Sequence, residues 1–189
     1  MAQPADKLIL ASASPRRREI LEAAGIAFSV RPVDIDETME PFLSPQMAVQ
    51  LVAAKKAAAA ASKEDGVVIG ADTIVVNEGR SLGKPHSEEE AFSMLKQLSG
   101  KTHTVMTGIA VVHARDGRMR THCEQTNLRF RTLSDAEILD YIKTGEPMDK
   151  AGAYGIQGKG GAFVEKIEGD FQNVVGLPLA ALSRLLEEM

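Results

Sequence analysis

The stretch Leu8-Ile-Leu-Ala-Ser-Ala-Ser-Pro-Arg-Arg-Arg-Glu-Ile-Leu21 decides how the chain begins to fold. An apolar run ends in small polar residues, and Ser14 followed by Pro15 is typical of the positions that open a helix. Arginines occupy positions 16–18, in the first turn of the predicted helix. Cations are mildly unfavourable there, because free N–H groups and the positive end of the helix dipole gather at a helix start.

A strand, a serine-rich turn and an arginine-rich helix start together indicate a phosphate site. The candidate ligands are Ser12, Ser14, Arg16 and Arg17, because hydroxyl, backbone N–H and guanidinium groups all suit phosphate oxygens. An ordinary helix start with a solvated charged face fits the same residues, so both interpretations stay open at this point.

Composition is that of a globular protein with a sizeable core. Of the 189 residues, 44% are hydrophobic and 25% are charged, and one domain over residues 1–189 is the default for this length. The net charge of −4 argues against a broad nucleic-acid surface, and the absence of Trp argues against a base-stacking platform. The single cysteine, Cys123, excludes an intrachain disulfide and a cysteine metal cluster.

Membrane and export signals are missing from the pattern. No apolar run reaches the roughly 18 residues of a membrane span, so we expect no membrane association. Residues 1–7 lack the basic and apolar regions of a signal peptide, and we therefore expect a cytoplasmic protein.

Periodicity and turn residues predict strands that alternate with helices. Asp116-Gly117 lies between two long β-type runs and predicts a hairpin, whereas residues 77–80 are read as a turn only. Ser134 with Glu137 has the spacing of a capping box and predicts the start of a helix. A mixed α/β sheet follows from this pattern. The predicted strands cover residues 7–12, 67–76, 102–113, 119–131 and 163–167, with a short extended segment at 28–33; the predicted helices cover 15–24, 45–62, 88–99, 135–145 and the chain from 177 onward.

Asp72 is the sharpest single candidate for chemistry. It lies inside a run of β-branched residues at 67–76, where an ionised carboxylate is costly to bury without a partner. Either Asp72 lies at a cleft or beside a cation, or Gly70 forms a bulge that exposes it.

Several other polar residues are weaker candidates. The acidic loop with Glu37 offers oxygen ligands that suit Mg²⁺ or Mn²⁺, although a solvated loop is equally ordinary. One of Lys55 and Lys56 is expected to border the core or a cleft. Lys84 precedes a proline that stiffens its backbone, and Gln157 lies in a glycine-rich loop, residues 152–161, that fits neither the Walker nor the dinucleotide spacing. The Gln157 amide both donates and accepts, which suits a base edge.

Five segments in order resemble the Maf family of nucleoside triphosphate pyrophosphatases, and the match covers nearly the whole chain. The segments are Leu10-Ala-Ser-Ala-Ser-Pro-Arg-Arg17, Gly70-Ala-Asp-Thr73, Gly83-Lys-Pro85, Asp149-Lys-Ala-Gly-Ala-Tyr-Gly-Ile-Gln-Gly158 and Val175-Gly-Leu-Pro178. The resemblance implies an elongated mixed sheet flanked by helices in two lobes, similar to inosine triphosphate pyrophosphatases, with a central active-site cleft.

The resemblance also implies a reaction in which water attacks the α-phosphorus and yields a monophosphate and pyrophosphate. It implies Asp72 as proton acceptor, with Glu37 and Asp72 near a divalent metal. It implies Arg16, Lys55 and Lys84 as phosphate-holding cations, and between the two neighbouring lysines it selects Lys55.

The resemblance is closest to the branch that acts on dTTP and UTP, through Arg16, Thr73 and Gln157. Modified pyrimidine nucleotides are further candidates. A homodimer is implied as well. An alternative also stays open, because the family is associated with inhibition of septum formation: a nucleotide-sensing regulator that binds a cell-division partner and turns over nucleotide incidentally.

Overall fold

One mixed sheet organises the chain. The computed structural model describes residues 6–40 and 42–189; residues 1–5, on which the expectation about export signals partly rests, lie outside this range. In the described part seven strands form the sheet in the order β2-β1-β3-β5-β6-β7, with β4 paired to β3. The strands are β1 (Leu8–Leu10), β2 (Ser29–Val30), β3 (Val67–Asn77), β4 (Arg80–Leu82), β5 (Thr102–His113), β6 (Met119–Phe130) and β7 (Val164–Glu168).

Helices occupy most of the remaining length. None of the helices in the described ranges is long and apolar enough to cross a membrane. The α-helices are α1 (Pro15–Ala23), α2 (Pro45–Ala61), α3 (Glu88–Leu98), α4 (Asp135–Ile142), α5 (Phe171–Val175) and α6 (Leu179–Glu187), and short 3-10 turns cover Glu146–Asp149, Ala151–Ala153 and Lys159–Phe163.

Strand directions confirm the predicted mixed sheet. Strand β1 pairs in parallel with both β2 and β3, whereas β3 with β4 and β6 with β7 are antiparallel pairs. The predicted hairpin turn is also present, because the N–H of His113 donates to the carbonyl of Arg118 at 2.9 Å and Gly117 has a φ of 69°.

Strand β4 and helix α5 are absent from the sequence prediction. The segment at residues 77–80, expected to be only a turn, joins β3 to β4, with Asn77 paired to Arg80. Its two central residues, Glu78 and Gly79, both have positive φ, as a two-residue hairpin with a type I′ turn requires. A strand of three residues carries too little alternation to be recognised by period, which is why β4 was missed.

The chain divides into two compact units. The first contains the chain up to Asp72, residues 107–124 and residues 176–189, and the second contains residues 73–106 and 125–175. Three of the four boundaries therefore fall within strands β3, β5 and β6, and the fourth follows helix α5. Each unit has its own buried apolar cluster, so each supports its polar side chains independently.

In the first unit, α2 packs very closely on the sheet. A Cβ at Gly70 would lie 2.2 Å from the carbonyl oxygen of Ala53, and one at Gly108 would lie 2.4 Å from that of Val49. Two glycines on neighbouring strands thus admit the helix backbone, and the fully buried Ala57 adds little bulk. Gly70 serves this close approach within strand β3, and Asp72 is buried, so the alternative in which Asp72 is exposed is wrong.

In the second unit, the core is built around aromatic side chains. Phe130 contacts Tyr154 and Phe163 edge-on, with ring centroids 4.7 and 5.9 Å apart, and Tyr141 contacts Phe163 at 4.9 Å. Helix α4 closes part of this core and begins with the predicted capping box, in which Ser134 and Glu137 satisfy each other's backbone N–H groups.

Candidate active site

In the first unit, two carboxylates meet one lysine ammonium. The Nζ of Lys56 donates to Oδ1 of Asp72 at 2.9 Å and lies 3.0 Å from Oε1 of Glu37. Lys56 and Asp72 are both buried, at 8% and 9% exposure, whereas the Glu37 side chain is about half exposed, at 55%. Of the alternatives left open for Asp72, the one with a cation partner is therefore present, and the partner is Lys56.

The close packing of α2 on β3 explains this meeting. Side chains two residues apart lie on the same face of a strand, so Asp72 faces the same side as Gly70. Gly70 is the position where β3 approaches the backbone of Ala53 and Ala57. Lys56 precedes Ala57 on the buried face of that helix, and its ammonium therefore reaches Asp72.

The structure shows which of the two lysines of α2 borders the core. Lys56 is buried against the carboxylates, whereas Lys55 is exposed. Each residue turns a helix by about 100°, so adjacent positions cannot share a face. Helix α2 carries small apolar residues on several sides. Its sequence pattern therefore does not indicate which of the two lysines lies on the buried face.

The start of α1 is shaped by Arg17. Its Nη1 donates to Oγ of Ser12 at 3.0 Å, and its Nε donates to the carbonyl of Gly176 at 2.8 Å. The Ser12 hydroxyl also accepts from the N–H of Ser14 at 3.2 Å. Ser12 and Arg17 are therefore brought together in a buried network, which fixes the serine-rich turn before the helix.

Ser14 and Arg16 have a different role in this turn. Ser14 occupies the N-cap position, but its hydroxyl makes no capping hydrogen bond, and the first turn carries no acidic residue. Arg16 is half-buried. The helix start thus keeps backbone donors and a hydroxyl available to an anion, in agreement with the phosphate interpretation.

Arg17 interacts electrostatically with the carboxylates of Asp72 and Glu37. Burial lowers the pKa of Arg17 below its usual value, and the negative charges of Asp72 and Glu37 act in the opposite direction. A guanidinium stays protonated at neutral pH despite such a shift. Arg17 therefore contributes positive charge in the region of Asp72.

The second unit holds the remaining predicted residues. Thr73 is half-buried in β3, Lys84 is exposed just after β4, and Gln157 is exposed in the glycine-rich loop. The N–H of Gly152 donates to the carbonyl of Gly83 at 3.0 Å, so the segment that carries Lys84 is tied to the start of this loop.

The carboxylates suit a divalent cation. Among residues 6–40 and 42–189 no group of three or more His, Cys, Asp or Glu side chains is placed to hold a metal ion. Mg²⁺ commonly binds through one or two carboxylates plus substrate phosphates. Asp72 and Glu37 supply two carboxylates, both in contact with the Lys56 ammonium. The donor set therefore fits Mg²⁺ or Mn²⁺.

Cys123, in the first unit, is a poor candidate for a nucleophile. Burial, followed by the charge of Glu124, raises the pKa of the Cys123 thiol to about 11. The thiolate is the reactive form of cysteine, so a group with this pKa is a poor nucleophile at neutral pH.

Comparison with known proteins finds relatives over nearly the whole chain. A family model described as Maf-like protein matches residues 7–189. The dTTP/UTP pyrophosphatase of Moorella thermoacetica is 53% identical over 181 residues, covering 95% of this chain and 93% of that protein. The dTTP/UTP pyrophosphatase of Pelotomaculum thermopropionicum is 49% identical over 183 residues, covering 96% of each.

Among solved structures, the Staphylococcus aureus Ham1 protein has a related fold. Its TM-score is 0.53 at 16% identity, and the match covers 96% of this chain and 98% of that one. This likeness concerns the fold alone and confirms the expected mixed α/β class. The sequence match over nearly the full length shows that the chain belongs to the Maf family.

Proposed function

We propose that this protein hydrolyses the α–β phosphoanhydride of dTTP and UTP and releases the nucleoside monophosphate and pyrophosphate. The observation that carries the proposal is the Lys56 ammonium shared by Asp72 and Glu37 beside the start of α1. Relatives that are about half identical over nearly their full lengths are named for these two substrates, which supports the choice of nucleotide. Modified pyrimidine nucleotides are further candidate substrates.

Asp72 is the proposed proton acceptor. Its carboxylate is held 2.9 Å from the Lys56 ammonium and takes a proton from water as the water oxygen bonds to the α-phosphorus. The bond from that phosphorus to the bridging oxygen breaks, and pyrophosphate leaves with the bonding electrons. No covalent intermediate with the protein is required.

Cationic side chains stabilise the negative charge of the polyphosphate. Arg17 and Lys56 are held in place before the substrate arrives, so they need little reorganisation. We assign Ser12, Ser14, Arg16 and Lys84 to the phosphates, and Thr73 and Gln157 to the choice of base. We also propose Lys56 for the phosphate-holding role for which the resemblance selected Lys55; the role of Lys55 stays a prediction.

A divalent cation, Mg²⁺ or Mn²⁺, is the proposed cofactor, and Glu37 and Asp72 would hold it. When bound, it neutralises charge on the phosphate oxygens. A homodimer, a cytoplasmic location, a central cleft and a cell-division partner stay predictions. The comparisons do not favour the regulatory alternative.

The proposal is tested by pyrophosphate release from a panel of nucleoside triphosphates with Mg²⁺ or Mn²⁺. The wild type is compared with Asp72→Asn and with Asp65→Asn, a matched change at an exposed aspartate that pairs with Arg115. We expect release from dTTP and UTP, a loss of at least about 100-fold in Asp72→Asn, and wild-type rates in Asp65→Asn. Nucleotide binding without release in the wild type would contradict the enzymatic role.

A further inference from the structure

Gln157 lies at the tip of a four-residue turn in the second unit. The N–H of Gly158 donates to the carbonyl of Gly155 at 3.2 Å and closes the turn, and the Gln157 side chain is exposed. An exposed amide can read a base edge only if the backbone that carries it is held in place. The supports of the turn therefore bear on base recognition.

Tyr141, on helix α4, holds the first end of the turn. Its hydroxyl accepts from the N–H of Gly155 at 3.1 Å and donates to Oε1 of Glu146 at 2.8 Å. The ring is fixed by its edge-on contact with Phe163, at 4.9 Å between centroids. The hydroxyl consequently has one position and one orientation.

Glu146, just beyond α4, holds the second end. Its Oε2 accepts from the N–H of Lys159 at 3.0 Å, and its Oε1 accepts from the N–H of Gly160 at 3.2 Å. One tyrosine–glutamate pair thus binds the backbone on both sides of Gln157.

The glycines of the loop make this contact possible. A Cβ at Gly158 would lie 2.3 Å from Oε1 of Glu146, and one at Gly160 would lie 2.7 Å from the hydroxyl of Tyr141. A larger residue at either position would force the backbone or the contacting side chain to shift. These glycines therefore serve the anchoring of a turn, which explains why their spacing fits no phosphate loop.

The protonation state of Glu146 suits its role as acceptor. Partial burial alone would raise the pKa of Glu146, but the hydrogen bonds from Tyr141 and from the backbone of Lys159 and Gly160 hold it below the usual value. The carboxylate is consequently ionised at neutral pH, and charge-assisted hydrogen bonds of this kind are stronger than neutral ones.

We propose that Tyr141 and Glu146 are positioning residues that hold the Gln157 turn and thereby set how sharply the protein discriminates between nucleobases. This role rests on the proposed function, in which Gln157 contacts the base. Neither side chain touches the nucleotide in this account, because both act through the backbone of the turn.

The test compares Tyr141→Phe, Glu146→Gln and Gln157→Ala with Asp140→Asn. Asp140 lies on the same helix as Tyr141, and its carboxylate pairs with the exposed side chain of Lys143. The measurements are the ratio of kcat/KM for dTTP to that for dCTP, and the hydrogen-exchange rates of the Gly155, Lys159 and Gly160 amides.

We expect Gln157→Ala to lower the dTTP/dCTP ratio about tenfold or more. Tyr141→Phe and Glu146→Gln, the two clamp variants, should each lower it at least about threefold. In the clamp variants KM should rise more than kcat falls, and the three amides should exchange about tenfold faster. Asp140→Asn should change none of these values. Tyr141→Phe keeps the packed ring, so it stays informative if Glu146→Gln folds poorly.

Unchanged discrimination in both clamp variants, beside lost discrimination in Gln157→Ala, overturns the positioning role and leaves the proposed function intact. Unchanged discrimination in Gln157→Ala also overturns it, because the base is then read elsewhere. Absence of turnover in the wild type contradicts the proposed function itself, and the role falls with it.

Discussion

Two carboxylates, Asp72 in the first unit and Glu146 in the second, are held by different kinds of partner. Asp72 meets the ammonium of Lys56, a cation at the end of a four-carbon stem. Glu146 meets a tyrosine hydroxyl and two backbone N–H groups. Backbone donors are fixed by the fold, whereas a side-chain ammonium can give way to another cation. In the roles we propose, the same chemical group therefore serves chemistry in one unit and positioning in the other.

The N-caps of helices α1 and α4 show a similar contrast. The Ser14 hydroxyl at α1 makes no capping bond, whereas Ser134 at α4 accepts from the N–H of Glu137 at 3.3 Å. Glu137 is in turn bound by Arg131 and by the backbone and hydroxyl of Ser134. Helix α1 thus begins without a side-chain cap, which leaves its start open to a ligand, whereas α4 begins with its cap satisfied internally.

Replacing Lys56 should have the largest effect on this contrast. Lys56→Met leaves the buried carboxylate of Asp72 without its ammonium, which costs roughly 3 kcal/mol of stability and lowers turnover at least about 100-fold. Lys55→Met, an identical change at the adjacent exposed position, should alter both by little. Denaturant unfolding and pyrophosphate release measure the pair. Equal losses in the two variants would contradict the assignment of Lys56.

Gly70→Ala breaks the packing that brings Asp72 to Lys56. The new Cβ would lie 2.2 Å from the carbonyl oxygen of Ala53 and 2.7 Å from the nitrogen of Ala57, so helix α2 must move outward. Overpacking of this kind costs about 1–3 kcal/mol. Gly83→Ala is the control, because a Cβ there meets nothing within 4 Å. A Gly70→Ala protein with unchanged unfolding free energy and activity would rule out this packing argument.

Acidification should release the Glu146 clamp. The folded pKa of Glu146 lies below its usual value, so the stability it contributes is present above the unfolded pKa, near 4.5, and is lost as the pH falls toward the folded value. The difference in Tm between the wild type and Glu146→Gln should be full at pH 7 and shrink below about pH 4.5. A difference that grows on acidification would show that the carboxylate form is not the one that holds the turn.

The two serine caps give the smallest expected effect. Ser134→Ala removes the capping box of α4 and should cost about 1 kcal/mol in denaturant unfolding. Ser14→Ala removes a hydroxyl without a capping bond and should cost close to nothing. A larger loss at Ser14 than at Ser134 would reverse the comparison between the two helix starts.

Local patterns predicted much of this architecture. The β-branched run around Asp72 is strand β3, the capping box at Ser134 opens α4, and Asp116-Gly117 forms its hairpin turn. These features depend on neighbours in sequence, so propensity and turn chemistry are sufficient to find them. The cost of burying a carboxylate also placed a cation beside Asp72 among the alternatives.

Features that depend on tertiary contact were beyond sequence reasoning. The phase of α2 is set by glycines on β3 and β5, so nothing within the helix separates Lys56 from Lys55. Tyr141 meets Gly155 across 14 residues, and neither residue carries a local signal for that bond. The short-range patterns of the loop suggested phosphate binding only weakly, whereas its glycines face a carboxylate and a hydroxyl.

Hydrolysis in ¹⁸O-labelled water tests the central claim most directly. Attack of water on the α-phosphorus, with Asp72 as proton acceptor, places the label in dTMP or UMP and leaves the pyrophosphate unlabelled. We expect this distribution of label in the wild type and no labelled product above background in Asp72→Asn. Labelled inorganic phosphate or labelled pyrophosphate would mean that water attacks a different phosphorus, and the proposed reaction would be wrong.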